Sequence, residues 1–143
     1  MFRSILAVAL GFILMMILAM TYGRFMFSLY PEAQPVLAED GTLSAGTMSL
    51  MFIFVLLALD FANAAFGGYF TAATAGRNER KHANALAILV LILGLLNLVS
   101  FLEVVPVAYA VARTFCAPIG VWVGGLLWGS QKATTQRVQE PSK

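Results

Sequence analysis

The segment Met48–Phe70, MSLMFIFVLLALDFANAAFGGYF, decides how this chain folds. It is long enough to cross a bilayer as one helix, which takes about 20 residues. The only acid in the segment, Asp60, lies near its middle, where a spanning helix meets little water. An ionised carboxylate at that depth costs at least ~2.5 kcal/mol on insertion scales, so we expect Asp60 to be paired or protonated. The remaining segments should therefore pack around this side chain.

The composition places the whole chain in a membrane. Of the 143 residues, 60% are hydrophobic and 11% are charged, whereas an ordinary soluble domain has about 25% charged residues. The net charge is only +2, and the basic residues lie at the ends of apolar segments rather than in one patch. We therefore expect an all-α integral membrane protein that is embedded in the lipid bilayer and binds no nucleic acid.

Four apolar runs predict a single domain, 1–143, containing four transmembrane helices. The predicted helices cover about residues 4–23, 46–76, 82–103 and 106–130, with an outer loop at 24–45 and a polar cytoplasmic tail at 131–143. The first run could instead be a cleaved signal peptide. Bulky residues such as Met15, Met16 and Met20 occupy the region where small cleavage-site residues are expected, which favours a retained helix. The tail is expected to be poorly ordered beyond its first turn.

The distribution of charge predicts an antiparallel up-down bundle with both termini in the cytoplasm. Basic residues cluster at the chain start, in the middle turn and in the tail, whereas the first loop and the Glu103 hairpin are acidic. Four crossings put all the basic clusters on one side. Tyr22 and Tyr109 are interpreted as anchors at the outer interface, and Tyr69 and Trp128 as anchors at the inner one. Trp122 lies deeper, where its indole N–H would need a partner inside the bundle.

Small residues predict where the helices touch. Without a hydrophobic driving force in lipid, helices associate where small side chains let their backbones approach. Helices two and four carry such residues in their cytoplasmic halves, and we expect Ala64 and Gly68 to face Gly120 and Gly124. Chance is the alternative, since glycine is common in membrane helices.

Arg113 is the leading candidate partner for Asp60. At about 1.5 Å per residue, the two residues differ in depth by roughly 7 Å, a gap that an arginine side chain and a small helix shift can close. Asn97 lies at a comparable depth and could bridge them, while Glu103 competes for Arg113. Alternatively, Asp60 is protonated and hydrogen-bonded to Asn63, Asn97 or backbone, while Arg113 extends toward the outer interface.

Residues able to carry other chemistry are few. Cys116 is the only cysteine, so an internal disulfide and a cysteine-based zinc cluster are excluded. The single histidine, His82, follows a basic turn and is interpreted as solvated. The loop acids Glu32, Glu39 and Asp40 do not have EF-hand spacing and are interpreted as surface charge. We therefore predict no cofactor, no metal and no catalytic residue, and the chain is not expected to be an enzyme.

One segment resembles a known group of proteins. The pattern Gly67-Gly68-Tyr69-x-x-Ala72-x-x-Ala75-Gly76-Arg77, followed by His82-Ala83-x-x-Leu86, is similar to one in small bacterial inner-membrane proteins with four helices, most of them uncharacterised. The likeness covers a small part of the chain. It implies a multi-pass protein of the bacterial inner, or cytoplasmic, membrane, and it supplies no activity and no catalytic residues.

Two functions remain open from the sequence. The first is a small structural or accessory membrane protein, working as a homo-oligomer or with a larger membrane-protein partner. The second is an oligomeric channel or small transporter component that uses the intramembrane Asp60. The chain has one intramembrane acid and no relay of further carboxylates or histidines, which favours a structural polar clamp over a proton or cation site.

Overall fold

The structure is a computed structural model, and it describes residues 2–34, 36–37, 43–44, 48–76, 78–102 and 105–139. Its four α-helices are α1 (Phe2–Leu29), α2 (Leu50–Ala75), α3 (Glu79–Leu102) and α4 (Val107–Gln139). Each contains a stretch long and apolar enough to cross a membrane. The fold is therefore all-helical, as the four apolar runs predict.

Local sequence explains most of the helix ends. Ser49 caps α2, because its hydroxyl oxygen accepts a hydrogen bond from the backbone N–H of Phe52 at 3.2 Å. At the other end of α2, Gly76 adopts a left-handed conformation with φ of 71°, which suits a residue without a Cβ. Asn78 also has positive φ, at 53°, and α3 begins at the next residue. This short turn makes α2 and α3 antiparallel neighbours.

α1 is longer than predicted. It runs to Leu29 instead of ending near residue 23, because Gly23 and Arg24 are accommodated within the helix and the first strong breaker is Pro31. A short 3₁₀ turn, Pro31–Ala33, follows, and then two antiparallel two-residue strands, β1 (Val36–Leu37) and β2 (Leu43–Ser44). This strand pair lies in the predicted outer loop and leaves the fold class unchanged.

α4 also exceeds its predicted length. It continues to Gln139, whereas the sequence predicts a helix ending near 130 and a poorly ordered tail. The predicted helix end is therefore wrong, because residues 131–139 contain no glycine or proline to end the helix. Six of these nine residues are Gln, Lys, Arg or Ala, which accept helical geometry readily. Within the helix, Pro118 has no N–H to donate to the carbonyl one turn earlier.

The helices are not arranged in simple sequence order. α2 contacts each of the other three helices, and its most extensive contact is with α4. α2 and α4 run in the same direction, since Ala64 lies opposite Gly120 and Tyr69 lies opposite Trp128. α1 runs antiparallel to α2, because Gly11 lies against Thr71 and Tyr22 against Asp60. The up-down path of the chain therefore places two parallel helices in the closest contact.

The predicted contact between helices two and four is present. A Cβ added to Gly120 would stand 2.9 Å from the Cβ of Ala64, and one added to Gly124 would overlap the carbonyl oxygen of Ala65. Gly68 packs on the backbone of Val121, so it faces the residue after Gly120 rather than either predicted glycine. Backbone-to-backbone approach along this seam sets the distance between the two helices that carry the polar site.

Buried side chains form two apolar clusters along α2. One lies near the loop end and includes Phe52 and Leu56, while the other includes Ala64 and packs on Leu86 and Val121. Asp60 lies on α2 between the two clusters. Large apolar side chains cover much of the outer surface, and Trp122 is among them, with 51% of the residue exposed. Among the described residues, this half-exposed tryptophan therefore has no hydrogen-bond partner inside the bundle of the kind expected from the sequence.

Candidate functional site: a buried carboxylate bound by two tyrosines and an arginine

Asp60 is held at both of its carboxylate oxygens. The hydroxyl of Tyr22 donates a hydrogen bond to Oδ1, and the hydroxyl of Tyr109 donates one to Oδ2 at 2.9 Å. Nε of Arg113 lies 3.4 Å from the same Oδ2 and forms an ion pair with it. Only 6% of the Asp60 side chain is exposed, so these groups replace the water that an acid would otherwise bind. Three helices, α1, α2 and α4, therefore meet at one carboxylate.

The two partners from α4 share one face of that helix. Tyr109 and Arg113 are four residues apart, a spacing that places side chains one above the other. Oδ2 of Asp60 can therefore accept from the tyrosine hydroxyl while it pairs with the guanidinium group. The Arg113 side chain remains 34% exposed, so the ion pair has one buried member and one partly open member. Of the two pairing modes left open by the sequence, the structure has the direct one.

Tyr22 reaches Asp60 because α1 and α2 are antiparallel. Gly11 of α1 lies against Thr71 of α2, and this contact sets the register of the two helices. Tyr22 is eleven residues after Gly11 and Asp60 is eleven residues before Thr71, so in antiparallel helices the two residues fall at the same level. Asn63, one turn after Asp60, adds a second link to α1, because its Nδ2 donates to the carbonyl oxygen of Met15 at 3.0 Å.

The two tyrosines are the residues that sequence reasoning missed. Both are interpreted from sequence as interface anchors, whereas their hydroxyl groups are directed at Asp60. The four-residue spacing between Tyr109 and Arg113 is a signal that could have revealed one of them. For Tyr22 the sequence offers only a matching depth, which many residues share.

The other predicted members of the polar cluster lie in different places. Asn97 does not bridge Asp60 and Arg113, since it is exposed and its Nδ2 donates to the carbonyl oxygen of Leu93 on its own helix at 2.8 Å. Asn63 contacts α1 instead of hydrogen-bonding Asp60 in the described contacts. Glu103 lies outside the described residues, as do Glu39, Asp40 and Arg77.

A partly open cavity adjoins the carboxylate. It has a volume of about 460 Å³ and lies in the half of the bundle nearer the α1–α2 connection. All four helices contribute to its wall. Its polar lining consists of six residues: Tyr22, Asp60, Asn97, Ser100, Tyr109 and Arg113. The remaining lining, which includes Phe27 and Leu56, is apolar. The cavity therefore combines one concentrated polar wall with hydrophobic surroundings.

The opposite end of the bundle carries basic side chains. Nζ of Lys132 on α4 lies 2.6 Å from Oε1 of Glu79 at the start of α3, and Arg80 lies beside Gly129. The Tyr69 hydroxyl donates to Oε1 of Gln131 at 2.8 Å. These contacts tie the end of α4 to the turn between α2 and α3, so the basic segments gather at one end.

No protein-family model, curated protein or solved structure matches the chain. Within the described ranges, no group of three or more His, Cys, Asp or Glu side chains could hold a metal ion. The site consists of a carboxylate whose two oxygens each accept a hydrogen bond, next to a cavity of small-molecule size.

Proposed function

We propose that the chain is a multi-pass membrane protein of structural or accessory type, in which Asp60 clamps three helices together. The observation that carries the proposal is the occupation of both carboxylate oxygens by donors from α1 and α4. Each donor contact also crosses between helices. A polar contact of this kind sets the register of helices that lipid alone would let slide.

The burial pattern supports the clamp over a proton pathway. A proton relay through a membrane needs successive ionisable groups along the path. Among the described residues, Asp60 is the only buried carboxylic acid. Thr71 and Thr114 are buried but do not ionise, and the buried Tyr109 is the hydrogen-bond donor to Asp60 itself. Thr114 donates to the carbonyl oxygen of Ala110 on its own helix. Asp60 has no second buried acid to exchange a proton with in this part of the chain.

The proposed setting is the bacterial inner membrane, with both ends of the chain in the cytoplasm. Basic side chains, including Arg80, Lys81 and Lys132, are gathered at one end of the bundle, where the positive-inside rule would place the cytoplasm. The resemblance of the Gly67–Arg77 segment to small bacterial inner-membrane proteins favours the same location. The partner is a second copy or a larger membrane protein.

The clamp is tested by removing the carboxylate charge. Asp60→Asn keeps the size of the side chain and weakens its attraction for Arg113, so we expect a clear loss of thermal stability in mild detergent. Ser100→Ala is the matched control, since Ser100 lines the same cavity but is exposed. If Asp60→Asn has the same melting temperature as the wild-type protein, the clamp proposal is contradicted.

A transport function is the second candidate, and the cavity is the observation that favours it. Asp60 and Arg113 both line this partly open space, so a substrate could reach them. Transport requires water to reach Asp60, and a hydrophilic carbodiimide should then modify it in membranes. Under the clamp proposal Asp60 stays unmodified while the exposed Glu32 reacts, which also serves as the internal control.

An accessory role is tested by purification. Wild-type protein extracted in mild detergent should carry a partner chain or elute as an oligomer, and the species present is identified by mass spectrometry. A monodisperse single copy after gentle extraction would count against both forms of assembly.

A further inference from the structure

The α3 part of the cavity lining is exposed, and we take it as the open side of this partly open cavity. Asn97 and Ser100 line the cavity and are both exposed, and a three-residue spacing puts them on one face of the helix. Their sequence neighbours Leu96 and Val99 are among the most exposed apolar residues of the bundle, at 72% and 70%. The open side is therefore flanked by surface that a bilayer would cover. A molecule reaching the cavity this way would arrive from lipid.

The charges of the polar wall point to an uncharged head group. Asp60 and Arg113 form an ion pair, so their opposite charges largely cancel at the cavity. An anion attracted to Arg113 would also lie close to the Asp60 carboxylate, which repels it. A cation attracted to Asp60 would likewise lie close to the Arg113 guanidinium, so neither charge gains a net attraction of full strength. Amide, hydroxyl and guanidinium groups in the same wall can instead hydrogen-bond neutral carbonyl or hydroxyl oxygens.

The size of the cavity agrees with a head group and the first part of a tail. Pockets for small molecules typically span about 300–1,000 Å³, and the 460 Å³ here lies within that range. The apolar lining, which includes Phe27, Leu56 and Val105, would contact the tail. Polar and apolar groups are thus arranged for an amphiphile.

We propose that this cavity is a binding site for a neutral lipid amphiphile whose head group carries carbonyl or hydroxyl oxygens. The head group lies against Asn97, Ser100 and the edge of the Asp60–Arg113 pair, and the tail extends along the apolar lining toward the bilayer. This inference rests on the proposed membrane location, and it adds a ligand to a protein otherwise proposed to be structural.

The test uses a photoreactive medium-chain monoacylglycerol with a diazirine in its acyl chain. The protein is incorporated in phosphatidylcholine nanodiscs, irradiated with the probe, and digested for peptide mass spectrometry. We expect labelling concentrated on peptides that line the cavity, and competition by unlabelled monoacylglycerol. A photoreactive fatty acid with the same acyl chain tests the head group, and it should label the cavity less.

Two variants that fill the cavity make the test specific. Among the described residues, no atom outside the local backbone stands within 4 Å of the position of a Cβ on Gly23, which lines the cavity. Gly23→Phe should therefore fit and reduce cavity labelling about tenfold, the effect of losing ~1.4 kcal/mol of binding. Ser100→Phe adds bulk at the open side and should act similarly. Ala9→Phe, at an exposed α1 position, is the control and should label as wild type.

Each contrary result has a separate meaning. Labelling spread evenly over lipid-facing residues, or unchanged by both filling variants, overturns the site. Stronger cavity labelling by the fatty acid overturns the neutral head group. Failure of the wild-type chain to enter nanodiscs would overturn the membrane proposal itself, whereas inserted protein without cavity labelling overturns the ligand site alone.

Discussion

The hydroxyl of Tyr22 donates a hydrogen bond to Oδ1 of Asp60, joining α1 to α2 across 38 positions of sequence. Because the other oxygen of Asp60 accepts from Tyr109, a single carboxylate connects the first helix of the chain to the last. α1 and α4 thus both depend on α2 for their position at this depth. The energetics of the bundle should therefore respond to changes in any one of these groups.

Removing either tyrosine hydroxyl should destabilise the fold. Tyr22→Phe keeps the ring but leaves Oδ1 of the buried Asp60 without its tyrosine donor, which costs about 1–3 kcal/mol. Tyr109→Phe should cost less, because Oδ2 keeps its contact with Arg113. Thermal and chemical denaturation in detergent measure the loss. Tyr30→Phe is the control. The ring centroids of Tyr30 and Phe52 are 4.9 Å apart, and phenylalanine at position 30 retains that contact. Equal stability of Tyr22→Phe and the control would show that the α1 contact does not hold the helix.

Exchanging the positions of the two charges of the Asp60–Arg113 ion pair should destabilise the bundle less than reversing either charge alone. Arg113→Asp or Asp60→Arg alone places two like charges together, and breaking a buried pair costs about 3–5 kcal/mol. Because Arg113 is partly exposed, we expect the lower end of that range. The double exchange should recover part of the loss, measured as the yield and melting temperature of folded protein. If the double variant recovers nothing beyond the single ones, the pair does not stabilise the bundle.

The sequence predicts the helices and one of the three contacts to Asp60. Apolar length identifies all four helices, and comparison of depth identifies Arg113 as the partner. Both inferences need only distance along a helix. The seam between α2 and α4 is also predictable, since small residues such as Ala64 and Gly120 reveal a face that another backbone can approach.

The remaining features depend on rotation and crossing angle, which a single sequence does not contain. Tyr22 could point to lipid or to the bundle at the same depth, and only the packing of Gly11 against α2 orients it inward. Asn97 is polar yet exposed, and one N–H of its amide donates to the carbonyl of Leu93 in its own helix instead of to the bundle interior. Polar character alone therefore does not place a residue inside the bundle.

The seam between α2 and α4 should be intolerant of added volume. In Gly68→Ala the new methyl group would overlap the carbonyl of Val121, so the helices must separate at a cost of about 1–3 kcal/mol. Gly23→Ala is the matched control on α1, because no described atom outside the local chain lies within 4 Å of the added Cβ. The change from glycine should favour the helix by roughly 0.5–1 kcal/mol. Melting temperatures should therefore shift in opposite directions. A Gly68→Ala protein as stable as wild type would mean that the seam is looser than described.

The topology predicts which positions react from each side of the membrane. In a Cys116→Ala background, single cysteines replace three exposed residues: Glu32 near the end of α1, Lys81 near the start of α3, and Ala133 on α4. Because Lys132 pairs with Glu79, positions 81 and 133 lie at the same end of the bundle and should share one side. An impermeant maleimide applied to intact cells should label Glu32→Cys alone, and permeabilised cells should label all three. If Lys81→Cys and Ala133→Cys are labelled in intact cells, the orientation in the membrane is the reverse of the predicted one. Reaction of those two positions from opposite sides would contradict the bundle, since no arrangement that keeps the Lys132–Glu79 contact can separate them.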